Sequence, residues 1–364
     1  MTLKALLLSL LSFITTAVAQ ESFEIKPISQ GFEDPIAITS IAGEPSKIFV
    51  VERVGTVAVI ENGKRATRDL LDIKNIISTQ EDAGLSGIAF PPNYAQNKEV
   101  YATYTDKQGD TVVGRFPTKI DQTADEDSLI VVLKVVQPYP HGHRSALAFA
   151  GDDTLLIGLG DAPQKPGVSS LAQNSRSLFG KVLRIAVTDP TRYTIPSDNP
   201  FAKRHDMAAE IWALGIQNPT SISFDPKTKR VMLIDSGRGI QELNLIERGK
   251  NYGWNITEGE NCVVSTCDMS HFTSPVYSYF ATTQSDAIPG FFYNGTTIPT
   301  LQGAYLFADS HSKTLFKLAP SGGTWSTTPI ARTSFPIVAI GQGVQGQIYI
   351  ATSDGTLSAV IGSA

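Results

Sequence analysis

Six times the chain runs an apolar, β-rich strand into a polar turn and back into a second strand, and helical periodicity is almost absent. The instances are Lys47–Arg53 with Gly55–Ile60, Glu99–Tyr104 with Thr111–Phe116, and Thr154–Leu159 with, after a long insertion, Gly180–Val187. They continue with Arg230–Asp235 and Gln241–Ile246, Gly303–Asp309 and Thr314–Leu318, and Gln347–Ala351 and Gly355–Val360. Partner strands lie between them at Pro35–Ile41, Gly87–Phe90, Ser221–Phe224 and Ile337–Gly341. The spacing is uneven, roughly forty to roughly eighty residues, and averages near the length of a four-stranded propeller blade. A β-sandwich needs shorter, more regular spacing and an open solenoid a tighter repeat. The pattern therefore predicts an all-β fold, a six-bladed β-propeller. Its ring closes when Phe23–Ile28 pairs into the last blade and covers an otherwise bare edge. The insertions at 162–176, 188–209 and 258–283 then fall on the faces of the ring.

The ends and the composition bound the partners. Lys4 precedes the apolar run Ala5–Ile14, and Ala17-Val-Ala19 supplies small residues before Gln20. That arrangement reads as a signal peptide over 1–19, leaving residues 20–364 as one secreted propeller with no membrane span. The formal net charge of −5 is mildly acidic and argues against a nucleic-acid partner. The two cysteines, Cys262 and Cys267, are expected to close a small disulfide loop in an oxidising compartment, a metal pair being the minor alternative. In a eukaryotic host Asn255-Ile-Thr and Asn294-Gly-Thr are glycosylation sequons, then expected on surface loops.

The stretch with most chemistry is Pro138-Tyr-Pro-His-Gly-His-Arg-Ser145, a helix-breaking loop with two imidazoles set before a tight hairpin. Such a loop suits a group that takes a proton from a substrate. The plainer reading has the same histidines capping strand ends. Asp161 and Asp235, at strand ends, suit a turn-capping role as well as a ligand role. Trp212, Tyr252 and Trp254 suit blade packing better than stacking on a sugar.

Several ordered motifs resemble those of the soluble PQQ-dependent glucose/sorbosone dehydrogenase family. They include Phe179-Gly-Lys-Val-Leu-Arg-Ile185, Ile195-Pro-Ser-Asp-Asn-Pro-Phe201, Glu210–Pro219 with Phe224-Asp-Pro226, and Gly249-Lys-Asn-Tyr-Gly-Trp254. Ala287-Ile-Pro-Gly290, Ile298–Gly303 and Tyr305-Leu-Phe-Ala-Asp309 extend the likeness over nearly the whole chain after the signal. The resemblance implies a six-bladed propeller that oxidises a sugar alcohol carbon. A histidine base takes the hydroxyl proton, a hydride passes to PQQ, and Ca2+ polarises the quinone. A small-molecule sugar and an external electron acceptor would be its partners.

Carried onto this chain, the base is His141 or His143, one loop residue having been gained or lost before Leu147. The cofactor grip falls on Gln217 and Asn218, where the family's Arg-Asn-Pro reads Gln-Asn-Pro, with His311, Arg144 and Arg238 as further cationic candidates. The calcium loop is Asp235-Ser-Gly-Arg, with the backbone carbonyls of Gly237 and Arg238 as ligands. Asp82 and Asp161 are placed toward the substrate. Loss of the guanidinium at Gln217 removes charge from the grip. It keeps open a second function, a non-catalytic propeller that binds an extracellular glycan or protein.

Overall fold

Strands buried on both faces need unbroken apolar sequence, whereas strands with one wet face alternate. Both kinds occur in each repeat. The second strands, such as Val231–Ser236, are buried along their length, and outermost strands such as Thr324–Arg332 alternate exposed with half-buried residues. The computed structural model describes residues 23–137, 144–151, 153–161, 169–237, 239–281 and 286–362. The expected signal peptide, His141, His143 and Arg238 lie outside the described residues.

Six sheets of at least four strands form the blades of a β-propeller. Their inner strands are Pro35–Thr39, Leu85–Ala89, Ser145–Phe149, Pro219–Phe224, Ala287–Phe292 and Ile337–Gln342, for blades 1 to 6. Each inner strand packs beside the next, and the last packs beside the first, so the ring is closed. Phe23–Gln30 is the outer strand of blade 6, paired antiparallel with Thr356–Gly362 from Phe23↔Gly362 to Gln30↔Thr356. This is the closure expected from the sequence, and it leaves the final strand no free edge.

The apolar core is divided among the blade interfaces. One cluster joins blades 1 and 2 around Val51, Leu71 and Tyr104, and another joins blades 2 and 3 around Tyr101, Leu155 and Leu183. Equivalent clusters fill the remaining interfaces, including that between blade 6 and blade 1 around Val50 and Ala351. Each blade is thus wedged from both sides, which holds the inner strand ends in a fixed ring. Ile211–Leu214 is the outer strand of blade 3. Among the described residues, no helix is long and apolar enough to cross a membrane.

Candidate active site

Because the inner strands run the same way through the ring, their first residues converge at one mouth of the central channel. Pro35, Leu85, Ser145, Pro219 and Ala287, the first residues of five inner strands, and Val338, the second of the sixth, line a cavity of 420 Å³ there. Polar groups enter from the adjoining loops. Arg53, just beyond the second strand of blade 1, donates Nε to Asp34 Oδ2 at 2.5 Å. Its Nη1 donates to the carbonyls of Glu81 at 2.9 Å and Ala83 at 3.1 Å. One guanidinium therefore fixes the loop that carries Asp82.

Asp82 lies on the cavity wall, and its Oδ1 is buried with no hydrogen-bond partner. An orphaned carboxylate oxygen is costly unless a ligand supplies a donor or a cation. Arg144, just before the inner strand of blade 3, lies on the same cavity, and its guanidinium has no partner among the described residues. Among the described residues Asp286 completes the charged lining, which sets four carboxylates (Asp34, Glu81, Asp82, Asp286) against two guanidiniums.

Gln217 and Asn218 form a layer around Asp235. The Asp235 carboxylate accepts the backbone N–H of Gln217 at 2.8 Å and of Asn218 at 2.5 Å. The Asn218 amide reaches the Ser236 carbonyl at 3.2 Å, and Asp161 N–H donates to the Gln217 carbonyl at 2.8 Å. Glu242 stands directly across the strand pair from Asp235. Gly237 is closed in by Glu258 Oε1, the Ile240 carbonyl and Gln217 Oε1, so any Cβ at that position would collide with them. Burial raises the pKa of Asp235, reinforced by the charge of Glu242, and burial likewise raises those of Glu242 and Glu258.

The other residues nominated from the sequence are distributed differently. Asp161 is 5% exposed and is not among the described residues that line this cavity; its carboxylate accepts from Ser170 Oγ, Leu171 N and Trp254 Nε1. Its oxygens are used to clamp two insertions, the capping role rather than a substrate contact. His311 is exposed on the turn between the second and third strands of blade 5 and does not line the cavity. Cys262 and Cys267 form a disulfide. The two sequon asparagines are half-buried rather than on open loops, and Asn294 donates its amide to the Asp225 carboxylate at 3.0 Å.

Arg53, Asp34, Glu81 and Asp286 were not singled out from the sequence. A signal was present for the first, because charged residues recur where the second strand of a blade ends: Arg53, Asp106, Asp161, Asp235 and Asp309. Only the ring shows which of these ends face the channel.

The family described as Glucose / Sorbosone dehydrogenase matches residues 32–359. The aldose sugar dehydrogenase YliI of Escherichia coli is 31% identical over 229 residues, covering 57% of this chain and 59% of that protein. Human Hedgehog-interacting protein is 23% identical over 374 residues, covering 92% of this chain and 51% of that protein. The chain spans about half to three fifths of the length of the curated relatives it matches. The PQQ-bound aldose sugar dehydrogenase of Streptomyces coelicolor superposes with a TM-score of 0.73 at 20% identity, covering 95% of this chain and 99% of that one. At that identity the likeness speaks for the fold.

Proposed function

Because this chain belongs to the glucose/sorbosone dehydrogenase family, we propose that it is a secreted, PQQ- and Ca2+-dependent dehydrogenase that oxidises an aldose or related sugar alcohol at the channel mouth. The observation that carries the reading is that the Arg144 guanidinium, without a partner among the described residues, and the Asp82 carboxylate line one cavity. A guanidinium without a partner suits a carboxylate of the cofactor. An orphaned carboxylate oxygen suits a sugar hydroxyl or a hard cation. Arg144 therefore suits a cofactor that carries carboxylates, and Asp82 a sugar hydroxyl. Arg144 would hold it from the side of blade 3, with Gln217 and Asn218 as neutral contacts and the carbonyls of Gly237 and Arg238 toward the metal.

When bound, PQQ with its calcium supplies the two-electron acceptor, which an external acceptor then reoxidises. The chain itself orients the sugar through Asp82, takes the hydroxyl proton on the imidazole of His141 or His143, and limits water with Ile36, Leu85 and Ile288 along the wall. The 420 Å³ volume lies within the usual range of small-molecule sites, roughly 300–1,000 Å³. The test is titration of the purified protein with PQQ and calcium, followed by dye reduction with a panel of aldoses. A bound-cofactor spectrum and sugar-dependent turnover are expected. No spectral change at micromolar PQQ, with no turnover, would overturn the reading.

One observation favours a second reading. The described lining carries more carboxylates than guanidiniums, and Gln217 adds no charge. Without countercharge from the undescribed residues, the channel mouth suits a neutral glycan or a basic protein surface better than a polyanionic cofactor. The same titration separates the two readings.

A further inference from the structure

A second polar cavity lies at the other end of the ring. Ser145, the first residue of the blade 3 inner strand, lines the channel mouth, whereas Phe149, the last, lines this cavity of 260 Å³ between blades 2 and 3. It is built around Arg115, which is 6% exposed. The Arg115 guanidinium lies 3.6 Å from Glu99 Oε1 and donates to the Pro190 carbonyl, yet its Nε is buried with no hydrogen-bond partner. Asn97 is half-used in the same way. Its Nδ2 donates to Asn93 Oδ1 at 2.9 Å, while its Oδ1 is buried without a partner. Asp153 and Thr188 add two further polar side chains. Tyr101 and Phe149, edge to face at 5.1 Å, form the apolar floor.

We infer that this pocket is a binding subsite for a neutral sugar ring, separate from the channel mouth and independent of the reading given to that site. Charge decides the class. An anion attracted by Arg115 would meet Glu99 and Asp153, and the pocket mixes donor and acceptor side chains (Arg115, Asn97, Asp153, Thr188) with the apolar floor. A polyhydroxylated ring offers both donors and acceptors without net charge, and its C–H face suits the apolar side. The volume admits one small ring rather than a larger ligand.

The probe is methyl β-glucopyranoside, whose blocked anomeric carbon offers no aldose end for oxidation. Methyl-labelled protein is titrated by NMR, with Val187 reporting on this pocket and Ile36, Leu85 and Ile288 on the channel mouth. A saturable shift of Val187 is expected in the millimolar range, the weak binding of a single ring. Asp153→Ala and Asn97→Ala should each weaken it about five-fold or more, as loss of a hydrogen bond does. Arg115→Met should abolish it; if that variant does not fold, the two other variants still decide. Methyl β-glucuronide, with its carboxylate, should bind about five-fold or more weakly than the glucoside. No Val187 shift, a shift unchanged in both Asp153→Ala and Asn97→Ala, or a preference for the glucuronide would overturn the inference.

Discussion

Trp254 donates its indole Nε1–H to the Asp161 carboxylate at 3.0 Å, tying the insertion after the third strand of blade 4 to the end of the second strand of blade 3. The same carboxylate accepts from Ser170 Oγ at 2.5 Å and from Leu171 N at 2.7 Å. Asp161→Ala leaves an indole, a hydroxyl and an amide without their acceptor. A loss of about 3 kcal/mol is expected, read by guanidinium denaturation together with a change in Trp254 emission. Asp161→Asn keeps one acceptor and should lose less. A loss under about 1 kcal/mol for the alanine variant would show that the clamp contributes little.

Lys181 is 0% exposed, and its ammonium donates to the carbonyls of Leu171 at 3.0 Å, Ala172 at 2.8 Å and Phe179 at 2.7 Å. Burial lowers its pKa from 10.5 to about 7, against the opposing pull of Asp161. Between those values the unfolded chain holds a proton that the folded chain has released, so this group's contribution to stability rises with pH through that window. Below about pH 7 both states are charged and the desolvation cost is felt in full. The stability of wild type relative to Lys181→Met should therefore rise from pH 7 to pH 9, by at most about 1.4 kcal/mol per pH unit. A flat difference would mean that the three carbonyls keep the amine protonated.

The Asp235–Glu242 pair titrates in the opposite sense. Both pKa values are raised, chiefly by burial, so the folded state holds protons that the unfolded state has lost. Stability from this pair is full below the ordinary carboxylate range and falls as pH rises from about 4 toward neutrality. Glu242→Gln removes one charge while keeping an acceptor for the Gly259 N–H. It should flatten that fall and raise stability at pH 7 by about 1–2 kcal/mol. Destabilisation of the variant at pH 7, measured by urea denaturation, would contradict this.

Removing residues 23–30 strips the outer strand from Thr356–Gly362 and exposes its backbone groups. Loss of monomer on size-exclusion chromatography and a lower Tm are expected, because a bare edge recruits other chains. A monodisperse, fully stable truncation would show that the ring does not need this closure.

Three substitutions divide the chemistry at the channel mouth. Replacing whichever of His141 and His143 is the base by alanine should lower turnover about 10²–10⁴-fold with PQQ binding intact. Arg144→Met should weaken PQQ binding about ten-fold or more by removing a charge-assisted contact. Asp82→Ala should raise KM for the sugar and leave cofactor affinity unchanged, since Asp82 lines the cavity and the proposed cofactor contact is Arg144's. Equal behaviour of all three variants in PQQ titration and aldose kinetics would dissolve these assignments.

The repeat count, the all-β class and the closing strand were legible in the sequence, because strand and turn chemistry act over a few residues and recur blade by blade. The Cys262–Cys267 disulfide was legible for the same reason, the two residues being near in sequence. Asp161 could not be separated from Asp82 in this way. Both are acids beside strands, and only packing turned one toward Ser170, Leu171 and Trp254 and set the other on the cavity lining. Arg53 reached the channel mouth, and His311 an exposed turn, through the placement of whole blades around the ring. The sequence by itself determined which elements form, since propensity and burial pattern are local properties. Which side chains meet at the channel was decided only in the tertiary structure, by blades far apart in the chain wedging against one another.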